Sequence, residues 1–167
     1  MKIYGENSYL IKHIKKYLDK NTTYFFASPI DTKNFKNIFR TFTSNILLVK
    51  ALLHKNKIVY ASSIAINDNT LYGLNKRFCE FLIKRFSKEY LILRIPRVYS
   101  QDRNKGLIKK IKNNLIPDSD LSNLVEFIDI NDFIKWFRNN KHKNGIISYD
   151  LPKYKLTIAN IKKLYCL

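Results

Sequence analysis

At 167 residues, with 46% hydrophobic and 14% aromatic side chains, the chain is long enough to bury a core and too apolar to be disordered. Its 31 basic residues outnumber 13 acidic ones for a formal charge of +18, a balance that ordinarily points to anionic partners. No apolar run is long enough to span a bilayer and no signal peptide is visible, so the expectation is a cytoplasmic protein with no membrane partner.

In chain order, an apolar strand near 1–5 precedes an amphipathic helix near 8–19. A second apolar run near 24–28 is followed by a helix near 33–54. Ile58-Val59-Tyr60-Ala61-Ser62-Ser63 reads as a strand ending in hydroxyls, and Tyr72 opens a long helix to about residue 87. A strand near 90–95 and helices near 104–114, 131–139 and 156–165 complete the pattern, with short strands around 126–129 and 145–149. Asp132 reads as the cap of the helix that begins at Phe133. Strands alternating with helices, and nearly continuous in apolar residues, predict a parallel sheet covered by helices. Ligands of such sheets sit at the carboxyl ends of the strands, where Ser28, Ser63 and the Pro96–Ser100 segment would come to lie.

Tyr72 and Lys76 are four apart on one helix and therefore share a face. A free phenol has a pKa near 10, and a neighbouring ammonium favours its phenolate, so Lys76 is expected to lower the pKa of Tyr72. Ser63 would hold the oxygen of an alcohol or carbonyl while Tyr72 exchanges its proton. A hydride would have to come from a cofactor, since no side chain carries one.

The sequence blocks around these residues resemble the extended short-chain dehydrogenase/reductase family of nucleotide-sugar epimerases, dehydratases and reductases. Val59-Tyr60-Ala61-Ser62-Ser63, then Tyr72-Gly73-Leu74-Asn75-Lys76 with Glu80, then Leu93-Arg94-Ile95-Pro96-Arg97-Val98-Tyr99-Ser100 stand in the family's order. Phe25-Phe26-Ala27-Ser28-Pro29 is similar to the strand whose end passes the nicotinamide, and Asn45 in Thr43-Ser44-Asn45-Ile46 matches an asparagine of the next helix. Downstream, Glu126 to Ile134 and Tyr154 to Leu164 are similar to later family blocks. The resemblance implies a Rossmann-like domain over 1–167, with about 101–167 as a small substrate-side lobe. It also implies a catalytic tetrad of Asn45, Ser63, Tyr72 and Lys76, with Asn45 supporting Lys76 through water. NAD or NADP would lie against Gly5, Ser8, Tyr9, Leu10, Ala27, Ser28, Tyr72 and Lys76. A nucleotide sugar would meet Ser63 and Arg97, and relatives pair as homodimers through a bundle containing the Tyr72 helix.

The departures are as informative. Of the family's Gly-x-x-Gly-x-x-Gly turn only Gly5 survives, with Ser8 and Ile11 at the other two positions. Between the first helix and Tyr24 there is no room for the family's second and third strands, so the acid that grips the adenosine ribose has no counterpart and the choice of NAD or NADP is not legible. Right-handed crossovers then predict either that the first helix changes faces to join helix 33–54, which is the favoured expectation, or that strand 24–28 fills the vacated slot. The loop from Ile64 to Leu71 is shorter than in relatives, which predicts an open substrate pocket.

The remaining residues carry less. Lysines such as Lys12, Lys15 and Lys16 are spread over polar helix faces, with short clusters at Lys109-Lys110 and Lys162-Lys163, which weighs against nucleic acid as a partner. Cys79 and Cys166 have no metal or redox spacing, His13, His54 and His142 are isolated, and no metal is expected. Arg94, inside an apolar strand, is expected to pair with a carboxylate, while Arg103 and Lys105 read as solvated. Two readings stay open: a shortened NAD(P)-dependent enzyme, favoured by the tetrad, and a degenerate relative acting as a binding or regulatory subunit, favoured by the worn glycine turn.

Overall fold

A computed structural model describes residues 1–26, 35–53, 56–100 and 106–165. The expected cofactor residues Ala27 and Ser28 lie outside the described residues, as do Arg103, Lys105, His54 and Cys166. In chain order the elements are β1 (Lys2–Tyr4), α1 (Tyr9–Ile14), β2 (Thr22–Phe25), α2 (Phe35–Leu52), β3 (Lys57–Ser63), α3 (Leu71–Phe86), β4 (Tyr90–Ile95), β5 (Val98–Tyr99), α4 (Gly106–Lys112), β6 (Leu124–Asp129), α5 (Ile130–Asn140), β7 (Gly145–Ser148), β8 (Tyr154–Thr157) and α6 (Ile158–Tyr165). They form two compact units, Met1–Ile95 with Ile134–Tyr149, and Pro96–Phe133 with Asp150–Leu167. Among the described residues no helix is long and apolar enough to cross a membrane.

The first unit holds a five-stranded sheet in the order β1-β2-β3-β4-β7, parallel throughout. Parallel strands are covered on both faces, which is why β2 and most of β3 and β4 are buried at every position rather than at alternate ones. One face presents Phe25, Ile58, Tyr60 and Ile92 to Leu48 and Ala51 of α2 and to Cys79 and Ile83 of α3. This is the Rossmann-like α/β architecture expected of the sequence.

The other face belongs to α1 and α5. Tyr24 alternates with Phe25 and so projects from the opposite face. Its hydroxyl accepts a hydrogen bond of 2.8 Å from the Asp19 N–H, just beyond the 3-10 turn Lys15–Tyr17 that continues α1. From α5 and the turn after it, Arg138 lies 4.9 Å from the centre of the Tyr17 ring, and Lys141 Nζ donates to the Tyr17 carbonyl at 2.8 Å and to Asp19 Oδ1 at 2.7 Å. The favoured expectation that the first helix joins helix 33–54 on one face is therefore wrong, and so is its alternative, since β2 lies between β1 and β3. The steps β1 to β2 and β2 to β3 move in the same direction over opposite faces, so the β1-α1-β2 crossover has the opposite hand to the two that follow. Burial supplies the reason. With α2 and α3 already on one face, Tyr24, Val59 and Leu91 would lose their cover if α1 left the other.

The second unit pairs β6 with β5 in parallel and with β8 antiparallel, over a core of Ile111, Val125, Phe127, Ile158 and Ile161. Neither β5 nor β8 is foreseen by the sequence pattern. The expected cap is also corrected: α5 begins at Ile130, and Asp129 Oδ1 accepts from the Asn131 N–H at 2.7 Å. Asp132 lies inside the first turn, where its carboxylate accepts from the Tyr154 hydroxyl at 3.4 Å.

Candidate active site at the end of β3

Ser63 ends β3 in extended conformation, and its Oγ accepts from the Ala65 N–H at 3.2 Å, turning the chain into a 3-10 turn at Ile64–Asn67. Arg77 of α3 holds that turn by donating to the Ile66 carbonyl at 2.7 Å. Thr70 then caps α3, its hydroxyl accepting from the Gly73 N–H at 3.1 Å. Gly73 is required by contact rather than by backbone angle. A β-carbon there would stand 2.8 Å from the Ala65 carbonyl oxygen and closer still to that of Asp68. Only glycine lets the short loop lie against the helix, and that contact brings Tyr72 to Ser63.

The Tyr72 phenol lies close enough to the Ser63 hydroxyl for the two to interact. Burial raises the phenol above its ordinary pKa of 10.0, and the interaction with Ser63 opposes the rise only in part. Lys76 is 2% exposed, its Nζ 5.5 Å from the centre of the Tyr72 ring and 4.8 Å from that of Tyr60. Its ammonium donates to the Ala61 carbonyl at 2.6 Å, and burial brings its pKa down to about 8. The expectation that Lys76 lowers the pKa of Tyr72 does not hold. Lys76 gives one of its N–H donors to the Ala61 carbonyl and lies over the Tyr72 ring, and desolvation is the largest influence on the phenol. Both shifts favour the neutral forms, so at neutral pH Tyr72 is a proton donor.

Asn45 reaches α3 on either side of Lys76 rather than at Lys76 itself. Its Nδ2 donates to Asn75 Oδ1 at 2.7 Å, and its Oδ1 accepts from Cys79 Sγ at 3.3 Å. Ser63, Tyr72 and Lys76 are thus brought together, and Asn45 ties α2 to the helix that carries two of them. Beneath them, Glu80 is 2% exposed and accepts from Ser62 Oγ at 2.6 Å and from Arg94 Nε and Nη2 at 3.1 and 2.8 Å. The expected carboxylate partner of Arg94 is therefore Glu80, in a two-pronged pair that fixes α3 on β3 and β4. Tyr60 and Gly73 are the residues of this corner to which sequence reasoning gave no role. Strand alternation puts Tyr60 on the face of Ser62 and so beneath α3, a signal available from position alone.

The β1–α1 turn is simpler. Gly5 adopts φ 85°, the left-handed region that favours glycine, and its carbonyl accepts from the Ser8 N–H at 2.7 Å. Ser8 precedes α1 in extended conformation with no side-chain cap, so Tyr9 and Leu10 form the open first turn of a six-residue helix. Ile11 and Ile14 are wholly buried, so α1 packs through branched side chains, Ile11 standing at the third glycine position of the turn it resembles. Gly5 and the first-turn N–H groups suit a pyrophosphate, with a narrower grip than three glycines allow. Arg97 belongs to the second unit, exposed and without a carboxylate partner among the described residues.

No family model matches the chain. A curated relative, the RecBCD enzyme subunit RecC of Buchnera aphidicola, is 29% identical over 97 residues, which is 58% of this chain but 8% of that protein. Solved structures match far more of the chain. dTDP-4-dehydrorhamnose reductase from Bacillus anthracis, in complex with NADP, superposes with a TM-score of 0.69 at 13% identity over 98% of this chain and 80% of its own. The capsular polysaccharide assembling protein CapF of Staphylococcus aureus gives 0.65 at 17% identity, over 97% of this chain and 56% of its own. The Bordetella bronchiseptica enzyme WbmG, in complex with NAD and UDP, gives 0.59 at 14% identity over 93% and 57%. This chain has the Rossmann-like fold of these proteins in a shortened form.

Proposed function

We propose that the chain is an NAD(P)-dependent oxidoreductase, epimerase or dehydratase acting on a nucleotide sugar. The observation that carries this reading is the Tyr72 phenol set against the Ser63 hydroxyl with the Lys76 ammonium over its ring, at the carboxyl end of β3. A fold shared with proteins solved with NADP, or with NAD and UDP, supports it.

Gly5, Ser8, Tyr9 and Leu10, with Ala27 and Ser28, are the residues proposed to hold the dinucleotide, and Lys76 its nicotinamide ribose. When bound, the nicotinamide supplies or accepts the hydride. Tyr72 gives its phenolic proton to the substrate oxygen, or takes one in the reverse direction. Ser63 donates a hydrogen bond to the same oxygen. As the proton leaves, the ammonium of Lys76 stabilises the phenolate. Arg97 is proposed to take a substrate phosphate, a task suited to a guanidinium. A neutral phenol at pH 7 suits the direction that protonates a carbonyl oxygen, and so keto reduction.

The apolar stripe Phe39, Phe42, Ile46 and Val49 of α2, beside Leu71, Leu74, Phe78 and Phe81 of α3, stands exposed at helical spacing. We assign it to pairing with a second copy, which Phe42→Glu with Phe78→Glu should turn into a monomer in light scattering. A second overall reading, a binding subunit without turnover, is favoured by Ser8 and Ile11 at glycine positions.

Titration of NADH and NADPH with nicotinamide fluorescence separates the two. Saturable binding, with Tyr72→Phe cutting turnover by roughly 10²–10⁴ while leaving that binding intact, is expected of the enzyme. No binding of either at millimolar concentration overturns it.

A further inference from the structure

The excess charge is unevenly shared. The first unit carries 21 basic and six acidic side chains, the second ten and seven. Within the first unit, folding gathers lysines that are dispersed in the sequence. Because the end of α1 lies against α5, exposed Lys12, Lys15 and Lys16 join exposed Lys135, Arg138 and Lys143 on a single face. The carboxylates beside them are already taken: Glu6 pairs with Lys15 at 3.1 Å, and Asp19 with Lys141 at 2.7 Å. Lys12, Lys16, Lys135 and Lys143 have no carboxylate partner among the described residues. Folding thus leaves a field of one sign there, exposed to solvent.

We infer that the α1–α5 face of the first unit is a docking surface for the phosphate backbone of nucleic acid. Its chemistry separates this partner from a protein. Protein interfaces draw their energy from a desolvated core of apolar and aromatic anchors. The exposed large hydrophobics of the unit's helices sit on α2 and α3, and none is on α1 or α5. A face with cations and no apolar anchor can gain energy from counterion release, which a phosphodiester chain provides without base contacts. Binding of this kind is indifferent to sequence and falls steeply with salt.

The test is fluorescence anisotropy of the full chain with labelled single-stranded and duplex oligonucleotides, of about 20 nucleotides, across salt. Two fourfold variants remove equal charge. One carries Lys12→Gln, Lys16→Gln, Lys135→Gln and Lys143→Gln; the other carries Arg40→Gln, Lys50→Gln, Lys84→Gln and Arg85→Gln on α2 and α3. All eight side chains are exposed, and circular dichroism checks that both variants fold. The first should lose about tenfold or more in affinity at ~0.15 M salt, with a shallower salt slope, and the second less than about threefold. If the first variant unfolds, Lys12→Gln and Lys135→Gln singly should each lose about twofold, and Lys50→Gln should not. Equal losses from both faces, no binding by the wild type at ~0.15 M salt, or tighter capture by anionic lipid vesicles than by either oligonucleotide would overturn the assignment.

Discussion

Two helices start at the carboxyl edge of the same sheet, and they are built to different standards. Where β3 meets α3, a serine caps the turn, a threonine caps the helix, an arginine braces the loop, and a buried Ser62–Glu80–Arg94 cluster locks the helix to two strands. Where β1 meets α1, one backbone hydrogen bond from Ser8 to Gly5 closes the turn, and no side chain caps a six-residue helix. The groups proposed for chemistry are over-determined, and those proposed to grip the cofactor are barely determined. Proton transfer tolerates little displacement, whereas a pyrophosphate asks only for N–H groups and a favourable dipole.

Breaking the cluster beneath α3 tests this contrast most severely. Arg94→Leu leaves the Glu80 carboxylate buried without its cation and should cost roughly 3–5 kcal/mol in urea unfolding. Adding Glu80→Leu should recover a large part of that loss, because the cost lies in the stranded charge. A loss under about 1 kcal/mol for Arg94→Leu would show that water already solvates Glu80 and that the corner is looser than drawn.

Lys76 gives the next effect, and its sign is fixed by its pKa of about 8, below the ordinary 10.5. Between those values the unfolded chain binds the proton and the folded chain does not, so this residue's contribution to stability rises with pH across the window. Below pH 8 the full cost of a buried ammonium applies, an effect of roughly 3 kcal/mol over the whole shift. Lys76→Met removes the term. Wild type should therefore gain on Lys76→Met by up to that amount between pH 7.5 and pH 10.5 in denaturant titrations, and parallel curves would mean that the amine is solvated when folded.

What the sequence discloses divides along the same line. Tyr72, Lys76 and Ser63 are legible because helix spacing and a strand end fix their relation before any packing is known. The partner of Arg94 is legible because a guanidinium within an apolar strand needs a carboxylate. The protonation of Tyr72 is not legible, since it depends on burial and on Lys76 turning to the Ala61 carbonyl, both products of tertiary packing. Nor is the face of α1, where the usual crossover hand competes with the need to cover Tyr24, Val59 and Leu91. At Asp129 and Asp132 two acids three residues apart both precede apolar positions, and only the course of Ile130 decides between them. At two residues, β5 carries too few positions for a pattern.

The two glycines refine the comparison with the smallest effect. Gly73→Ala pushes a methyl group against two backbone carbonyls of the loop that positions Tyr72, so the loop or the helix must move. Overpacking of that kind costs about 1–3 kcal/mol, and with the 64–67 turn displaced, Tyr72 and Ser63 should move apart and turnover should fall with stability. Gly5→Ala meets a different objection, a φ of 85° that an L side chain adopts at a cost of about 1–2 kcal/mol. That strain is local to a turn closed by one backbone hydrogen bond and an exposed Glu6–Lys15 pair, which relaxes with little effect on the sheet. Its damage should appear as weaker dinucleotide binding with a modest shift in unfolding midpoint. Were Gly5→Ala to cost as much stability as Gly73→Ala, the β1 turn would be as firmly built as the catalytic corner, and the division between a rigid chemical end and a yielding cofactor end would not stand.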